Sequence, residues 1–523
     1  MLRVISVTAA SIIVGIPVAF SAAIPEPVHL DSGLISGIAG TNPEVRVFRG
    51  IPYAAAPTGK LRWRAPQSVA HWDGVRMADQ FGAICTQPAF RVINGASSAG
   101  AIPPKMSEDC LFLNVWTAAS AGDKRPVMVW IHPGGYTTGS GSTPGFDGEA
   151  LAKKGVVLVT INYRLGAFGF FSHPELTKES DGRGSGNYAL MDQAAALQWV
   201  QTNIAGFGGD PQRVTVFGDS AGSASIANLM GSSQTKGLFQ RAIGESGAWM
   251  GLSIGKTRTL AEAEQDGLKM AAAVHAQTLD ELRALPADEL LKAGRAGGPV
   301  IDGWFLPEDV GAVFAEGKQN DVPLLGGSNQ DEGTFFLQPT TAEKFMERAR
   351  MRFGDQADAF LKLYPATSDE EANTSQMAAF RDELAFVMRI WTRAQTKSGR
   401  SKAYLYYFTH QPPPPAAATS RGGFGSGATH GAEAQYVFGN LLPPRAWTGL
   451  DHQVSDMLSS YWVNFATNGD PNGKGLATWT AYDDKKNAAP MVLGDQAQVG
   501  PAPNAAQLAF FEAVYEKQGG RRP

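Results

Sequence analysis

Gly218-Asp219-Ser220-Ala221-Gly222 sets a serine between two glycines in a G-x-S-x-G pattern. A serine hydroxyl is a weak nucleophile at neutral pH and needs an adjacent base. The pattern is short, and a chain with 60 glycines produces such matches by chance. A second match occurs, Gly251-Leu252-Ser253-Ile254-Gly255. Context separates the two. Ser220 follows the strand-like run Val214-Thr215-Val216-Phe217 and precedes a helix-like run, the strand–turn–helix setting of a nucleophile elbow. Ser253 follows Trp249-Met250 and reads as a turn serine. The helix start behind Ser220 adds partial positive charge where an oxyanion would form. His132-Pro133-Gly134-Gly135 follows another strand-like run. In acyl-transfer chemistry its glycine N–H groups would join that of Ala221 in holding an oxyanion; alone it reads as a glycine turn.

A base and a carboxylate complete such chemistry, since the carboxylate fixes the imidazole tautomer and stabilises the imidazolium. The chain has eight histidines. His430 follows the strand-like run Tyr404–Phe408 after a long loop, where catalytic groups concentrate. His132 reads as structural, and His410, beside a proline run, reads as exposed. Asp331 and Glu332 are adjacent acids that composition and spacing do not separate. No compact metal-ligand spacing such as H-E-x-x-H occurs, so no metal site is expected.

These groups need a frame. Strands are expected at 127–131, 156–161, 214–217, 322–325 and 404–408, where β-branched or aromatic residues run together. Helices are expected at 189–204, 221–230 and 257–274. Strands alternating with helices imply an α/β fold with a mostly parallel sheet covered on both faces. The turn-rich part before about residue 120 is expected to add antiparallel strands. Pro412–Pro415 and the Gly/Ser-rich run to Gly427 read as a surface loop, because no new strand–helix alternation follows.

Composition sets the outer limits. Of 523 residues, 43% are hydrophobic and 18% charged, which excludes a mainly disordered chain, a collagen and a coiled coil. A net charge of −4 supplies no basic excess, so nucleic acid is not an expected partner. Met1–Ala23 carries Arg3, an apolar stretch from Val4 to Phe20, and small residues at the end, the pattern of a secretory signal peptide. Residues 24–523 are then expected to form one exported domain, secreted or periplasmic, with no later membrane span. Export makes a disulfide between the only two cysteines, Cys85 and Cys110, plausible; spacing alone does not exclude two separate buried thiols.

Four longer blocks resemble the type-B carboxylesterase/lipase family, the α/β-hydrolase group that includes the cholinesterases. Phe207-Gly208-Gly209-Asp210-Pro211 leads through Arg213–Phe217 into the Ser220 turn. Glu108–Val115, Phe48–Ala54 with Leu61-Arg62-Trp63, and Asn162–Gly166 match other family segments. The likeness runs from about residue 28 to about residue 511. It implies an α/β-hydrolase fold and hydrolysis of small-molecule carboxylic esters without a cofactor. It assigns the nucleophile to Ser220, the acid to Glu332 in Gly327–Gly333, and the base to His430 in Thr429-His430-Gly431-Ala432-Glu433. It gives the oxyanion-hole role to Gly134, Gly135 and Ala221, and pairs Cys85 with Cys110.

The chain departs from the family at Pro133, where many members have glycine, and at Asp219, where glutamate is frequent. Asp219 is expected to alter the cleft beside Ser220, and Trp249 is a further candidate for its lining. Trp304, Phe335 and Phe336 read equally well as cleft or core. Ser246 reads either as a hydroxyl beside the triad acid or as a turn serine. Residues 411–427 lead to His430 and are a candidate wall or gate. An acyltransferase or amidase with the same triad, and a non-catalytic binding protein, are the competing functions. The second predicts a missing nucleophile or base, and candidates for both are present.

Overall fold

The structure, a computed structural model, describes residues 24–88, 105–248, 257–294, 297–414, 427–486, 489–501 and 504–517. The expected leader, Trp249, the second G-x-S-x-G match and residues 415–426 of the Pro/Gly stretch lie outside the described residues.

Apolar runs without polar alternation make strands that are covered on both faces. Eleven strands form the main sheet: β1 (Ile38–Ala39), β2 (Arg46–Pro52), β3 (Phe112–Thr117), β4 (Arg125–Ile131), β5 (Val157–Ile161), β6 (Gly209–Asp219), β7 (Arg241–Glu245), β8 (Leu324–Asn329), β9 (Ala403–Phe408), β10 (Met491–Leu493) and β11 (Ala497–Val499). Their spatial order is β11-β10-β9-β8-β7-β6-β4-β5-β3-β2-β1. From β10 to β5 every neighbouring pair is parallel. The N-terminal edge is antiparallel, with β5 against β3, β3 against β2 and β2 against β1. Val28–Leu30, Gly33–Ser36 and Val75–Met77 form a separate three-stranded sheet. This is the expected α/β-hydrolase architecture with an antiparallel N-terminal extension.

Successive side chains on each strand point to opposite faces and feed two cores. On one face Ile131, Val159 and Val216 pack with residues of α1 (Tyr188–Asn203), α2 (Ala221–Gly231) and the 30-residue helix α4 (Asp369–Ser398). On the other, Trp130, Phe217 and Tyr406 pack with residues of α5 (Ala432–Phe438) and α6 (Gly449–Asn468). Helix α3 (Leu260–Ala273) lies within the expected 257–274 and opens with a Thr259–Glu262 capping box.

His410 corrects the sequence reading. It is buried, with Nδ1 2.7 Å from Asp495 Oδ1 and Nε2 3.0 Å from Asp451 Oδ1. The turn between β10 and β11 and the first turn of α6 close over it, a tertiary contact that neighbouring prolines do not signal.

Candidate active site

The register of the sheet determines which strand ends meet. Gly218 pairs with Ile131, Asp219 with Glu245, Glu245 with Gly327, and Asn329 with Phe408. The loops after β4, β6, β7, β8 and β9 therefore share the carboxyl edge of the parallel strands, where α/β sheets present their chemistry.

Ser220 occupies the single-residue turn between β6 and α2, with φ 58° and ψ −119°. A non-glycine residue there carries about 1–3 kcal/mol of strain, which the surrounding structure has to hold. It does so through Ser220 N–H, which donates to Glu245 O at 2.8 Å, and through Ser220 O, which accepts from Ala224 N–H at 2.8 Å. The flanking glycines are sterically required. A Cβ on Gly222 would stand 2.0 Å from Ile131 O, and one on Gly218 would stand 2.6 Å from the same atom. Ser220 is thereby fixed at the N-terminus of the 11-residue helix α2.

The Gly134–Gly135 loop leaves β4 beside this turn. Gly134 O accepts from the N–H groups of Thr137 and Thr138, closing the loop at one end. Gln87 holds the other end: its Nε2 donates to Gly139 O at 3.0 Å, and its Oε1 accepts from Gly139 N–H at 2.9 Å. Gln87 also donates to Cys85 O, and Cys85 is disulfide-bonded to Cys110. His132 is buried and stacked on Tyr163, and burial lowers its pKa to about 4. It is neutral at physiological pH and serves the wall of the loop.

Glu332 is fully buried just beyond β8. Its Oε2 lies 2.6 Å from His430 Nδ1. Its Oε1 accepts from Ser246 Oγ at 2.5 Å and from Asn329 N–H at 2.8 Å. The neighbouring Asp331 turns elsewhere and accepts from Ala428 N–H at 2.8 Å. The structure thus pairs Glu332, not Asp331, with His430, and puts the Ser246 hydroxyl on the same carboxylate.

Around His430 lie more carboxyl groups than a triad needs. Burial is the largest single effect and acts to lower the imidazole pKa; Asp219, Glu332 with its hydrogen bond, and Glu433 together outweigh it and raise the pKa to about 9. Asp219 is itself pushed up to about 7, chiefly by burial. Burial and the charge of Asp219 push Glu433 up to about 8. Glu245, also buried, is raised well above the carboxylate range by burial and then by Glu433 and Asp219, and it accepts from Trp462 Nε1 at 2.7 Å. Part of this acid group carries protons near neutral pH. Each such proton weakens the field on His430 and eases its conversion to a neutral base.

The arrangement brings the Ser220 turn, the Gly134–Gly135 loop, Glu332 and His430 to one edge, with the charge of Asp219, the last residue of β6, acting on His430. Trp304 is half-buried against the core; Trp249 lies outside the described residues. The roles of Gln87 and Asn329 were not read from the sequence, although Asn329 stands three residues before Glu332 and Gln87 two after Cys85. Among the described residues no group of three or more His, Cys, Asp or Glu is arranged to hold a metal ion. Nor is any helix among them long and apolar enough to cross a membrane.

Comparison with known proteins identifies the family. Residues 25–511 match the model of the carboxylesterase family. Fumonisin B1 esterase of Sphingopyxis macrogoltabida is 38% identical over 93% of this chain and 89% of its own. Para-nitrobenzyl esterase of Bacillus subtilis is 34% identical over 84% and 90%. A solved PNB esterase superposes with a TM-score of 0.78 at 33% identity, covering 92% of this chain and 99% of that one. The chain belongs to the carboxylesterase family and is a serine hydrolase of carboxylic esters.

Proposed function

We propose that the protein is an exported esterase that works through an acyl-enzyme on Ser220, with His430 as base and Glu332 as its carboxylate partner. The observation that supports this most is the 2.6 Å contact between His430 Nδ1 and Glu332 Oε2 at the sheet edge that also carries Ser220. The Glu332 contact holds a proton on Nδ1, so Nε2 is the nitrogen that receives the Ser220 proton.

Ser220 Oγ attacks the ester carbonyl carbon as His430 takes its proton. The N–H groups of Gly134, Gly135 and Ala221 hold the resulting oxyanion. The tetrahedral species collapses, the C–O bond to the alcohol breaks, and His430 returns the proton to the leaving oxygen. Water then attacks the acyl carbon, His430 takes and returns a second proton, and the free acid departs.

Residues 24–523 act as one catalytic domain, and the leader 1–23 directs it out of the cytoplasm, in keeping with the Cys85–Cys110 disulfide. The substrates are small-molecule esters. The named substrates of the two relatives, a fumonisin and a para-nitrobenzyl ester, are suitable probes alongside short and long p-nitrophenyl esters. Hydrolysis by residues 24–523 that disappears in Ser220→Ala is the expected result. Equal hydrolysis by both proteins would remove Ser220 from the mechanism.

A further inference from the structure

The acid and base of the proposed triad sit on different segments, 98 residues apart in sequence. Their relative position is set by more than their own contact. Asn329, the last residue of β8, touches both segments. Its backbone N–H donates to Glu332 Oε1 at 2.8 Å. Its side-chain Nδ2 donates to the carbonyl of Thr429, the residue before His430, at 2.8 Å. The same nitrogen donates to Glu433 Oε2, three residues after His430. Asn329 is fully buried, and its Oδ1 has no hydrogen-bond partner among the described residues.

A buried amide oxygen without a partner costs about 1–3 kcal/mol. The chain accepts this cost at a position where both amide hydrogens are used on the two sides of His430. The opposite orientation would aim the oxygen at two acceptors, so the donor set fixes the side chain. Of residue types this size, aspartate matches the shape and lacks both donors.

We infer that Asn329 is a positioning residue for ester hydrolysis: its amide couples the Glu332 turn to both flanks of His430, so that acid and base move as one unit. The inference rests on the triad reading above. A misplacement of reacting groups by about 1 Å costs on the order of 100-fold, so a link of this kind has a large kinetic effect.

The amide has a second consequence, electrostatic in nature. Its bond to Glu433 favours the charged form of that carboxyl. Glu433 is also faced by Tyr406, whose hydroxyl donates to Oε1 at 3.0 Å, and by Asp219, Glu245 and Glu332. His430 is faced by Asp219 from β6, Glu332 from the turn after β8 and Glu433 from α5. Without the amide, Glu433 keeps its proton to higher pH, and over the range in which it would otherwise ionise one negative charge fewer faces His430. The imidazole then loses its proton at lower pH.

The test uses residues 24–523 as wild type, Asn329→Ala and Asn329→Ser, with active sites counted by stoichiometric organophosphate titration. Hydrolysis of p-nitrophenyl acetate per titrated site should fall at least 10-fold in kcat with KM changed less than about 3-fold. The acidic limb of kcat/KM should move to lower pH, and Glu433→Gln should move it in the same direction. The serine variant keeps a small donor and covers the case in which the alanine variant fails to fold. A lower Tm with unchanged kcat per titrated site and an unmoved acidic limb would assign Asn329 to stability alone and overturn the inference. Ser220→Ala, which should abolish both titration and turnover, tests the triad reading separately.

Discussion

Gly431 presses on Asp219: a Cβ at position 431 would stand 2.8 Å from Asp219 Oδ2. Gly431 has φ +70° and is the residue between His430 and helix α5. The segment after His430 and the Asp219 carboxylate thus approach through a site with no room for a side chain. Gly431→Ala adds about 1 kcal/mol of backbone strain and a close contact, and both displace His430 from Ser220. Turnover should fall at least 10-fold in steady-state assays while the protein remains folded by circular dichroism.

Asp219 contributes the largest of the upward effects on His430. Asp219→Asn removes that charge, so the imidazole gives up its proton at lower pH. With His430 as the proposed base, its neutral form is the active one and activity is expected above its pKa. The acidic limb of the kcat/KM profile should therefore move toward lower pH. A limb that moves up, or stays in place, would contradict the assignment of Asp219 as the principal charge on the base.

Glu332→Gln keeps the volume of the buried acid and removes its charge. The tautomer and the developing imidazolium both lose their support, and kcat should fall about 10³–10⁴-fold with little change in KM. Asp331→Asn, which alters an acid bound only to Ala428 N–H among the described hydrogen bonds, should leave kcat within a few-fold. Paired kinetics on the two variants decide between neighbouring carboxylates.

Gln87 closes a two-bond amide pair on Gly139 and so holds the far end of the Gly134–Gly135 loop. Gln87→Ala should reduce kcat about 10-fold through a loosened oxyanion site, a fraction of what losing a donor outright costs. Binding of a trifluoromethyl ketone, which mimics the tetrahedral state, should weaken by a similar factor, with substrate KM nearly unchanged.

Cys85 and Cys110 close a segment with a sequence separation of 25. Replacing both by serine should cost about 2–4 kcal/mol, measured by chemical denaturation. Because Gln87 also bonds to Cys85 O, the double variant should lose turnover before it loses its fold.

The strand–turn–helix setting of Ser220 was legible in the sequence because its signal is local: strand, two glycines, helix. The structure gives β6 at Gly209–Asp219 and α2 at Ala221–Gly231, where the sequence reading had 214–217 and 221–230. The central strand β7, Arg241–Glu245, was not read, because two of its five residues are charged and Gly244 interrupts its pattern. Gly244 is small because a Cβ there would meet Trp391 of α4 at 2.3 Å, a constraint only the folded chain contains. Glu332 and Asp331 remained equivalent until tertiary contacts turned them apart, and family likeness alone favoured one. The burial of His410 and the cross-link through Asn329 depend on sheet register, which composition does not carry.

The most direct test of the account is covalent. Residues 24–523 treated with a fluorophosphonate should gain one adduct by intact mass, located by peptide mapping on Ser220 and accompanied by complete loss of esterase activity. Ser220→Ala should gain none, and His430→Ala should label at least 100-fold more slowly. An adduct at another residue with activity lost, or full labelling at an unchanged rate in His430→Ala, would contradict the assignment of Ser220 as nucleophile and His430 as its base.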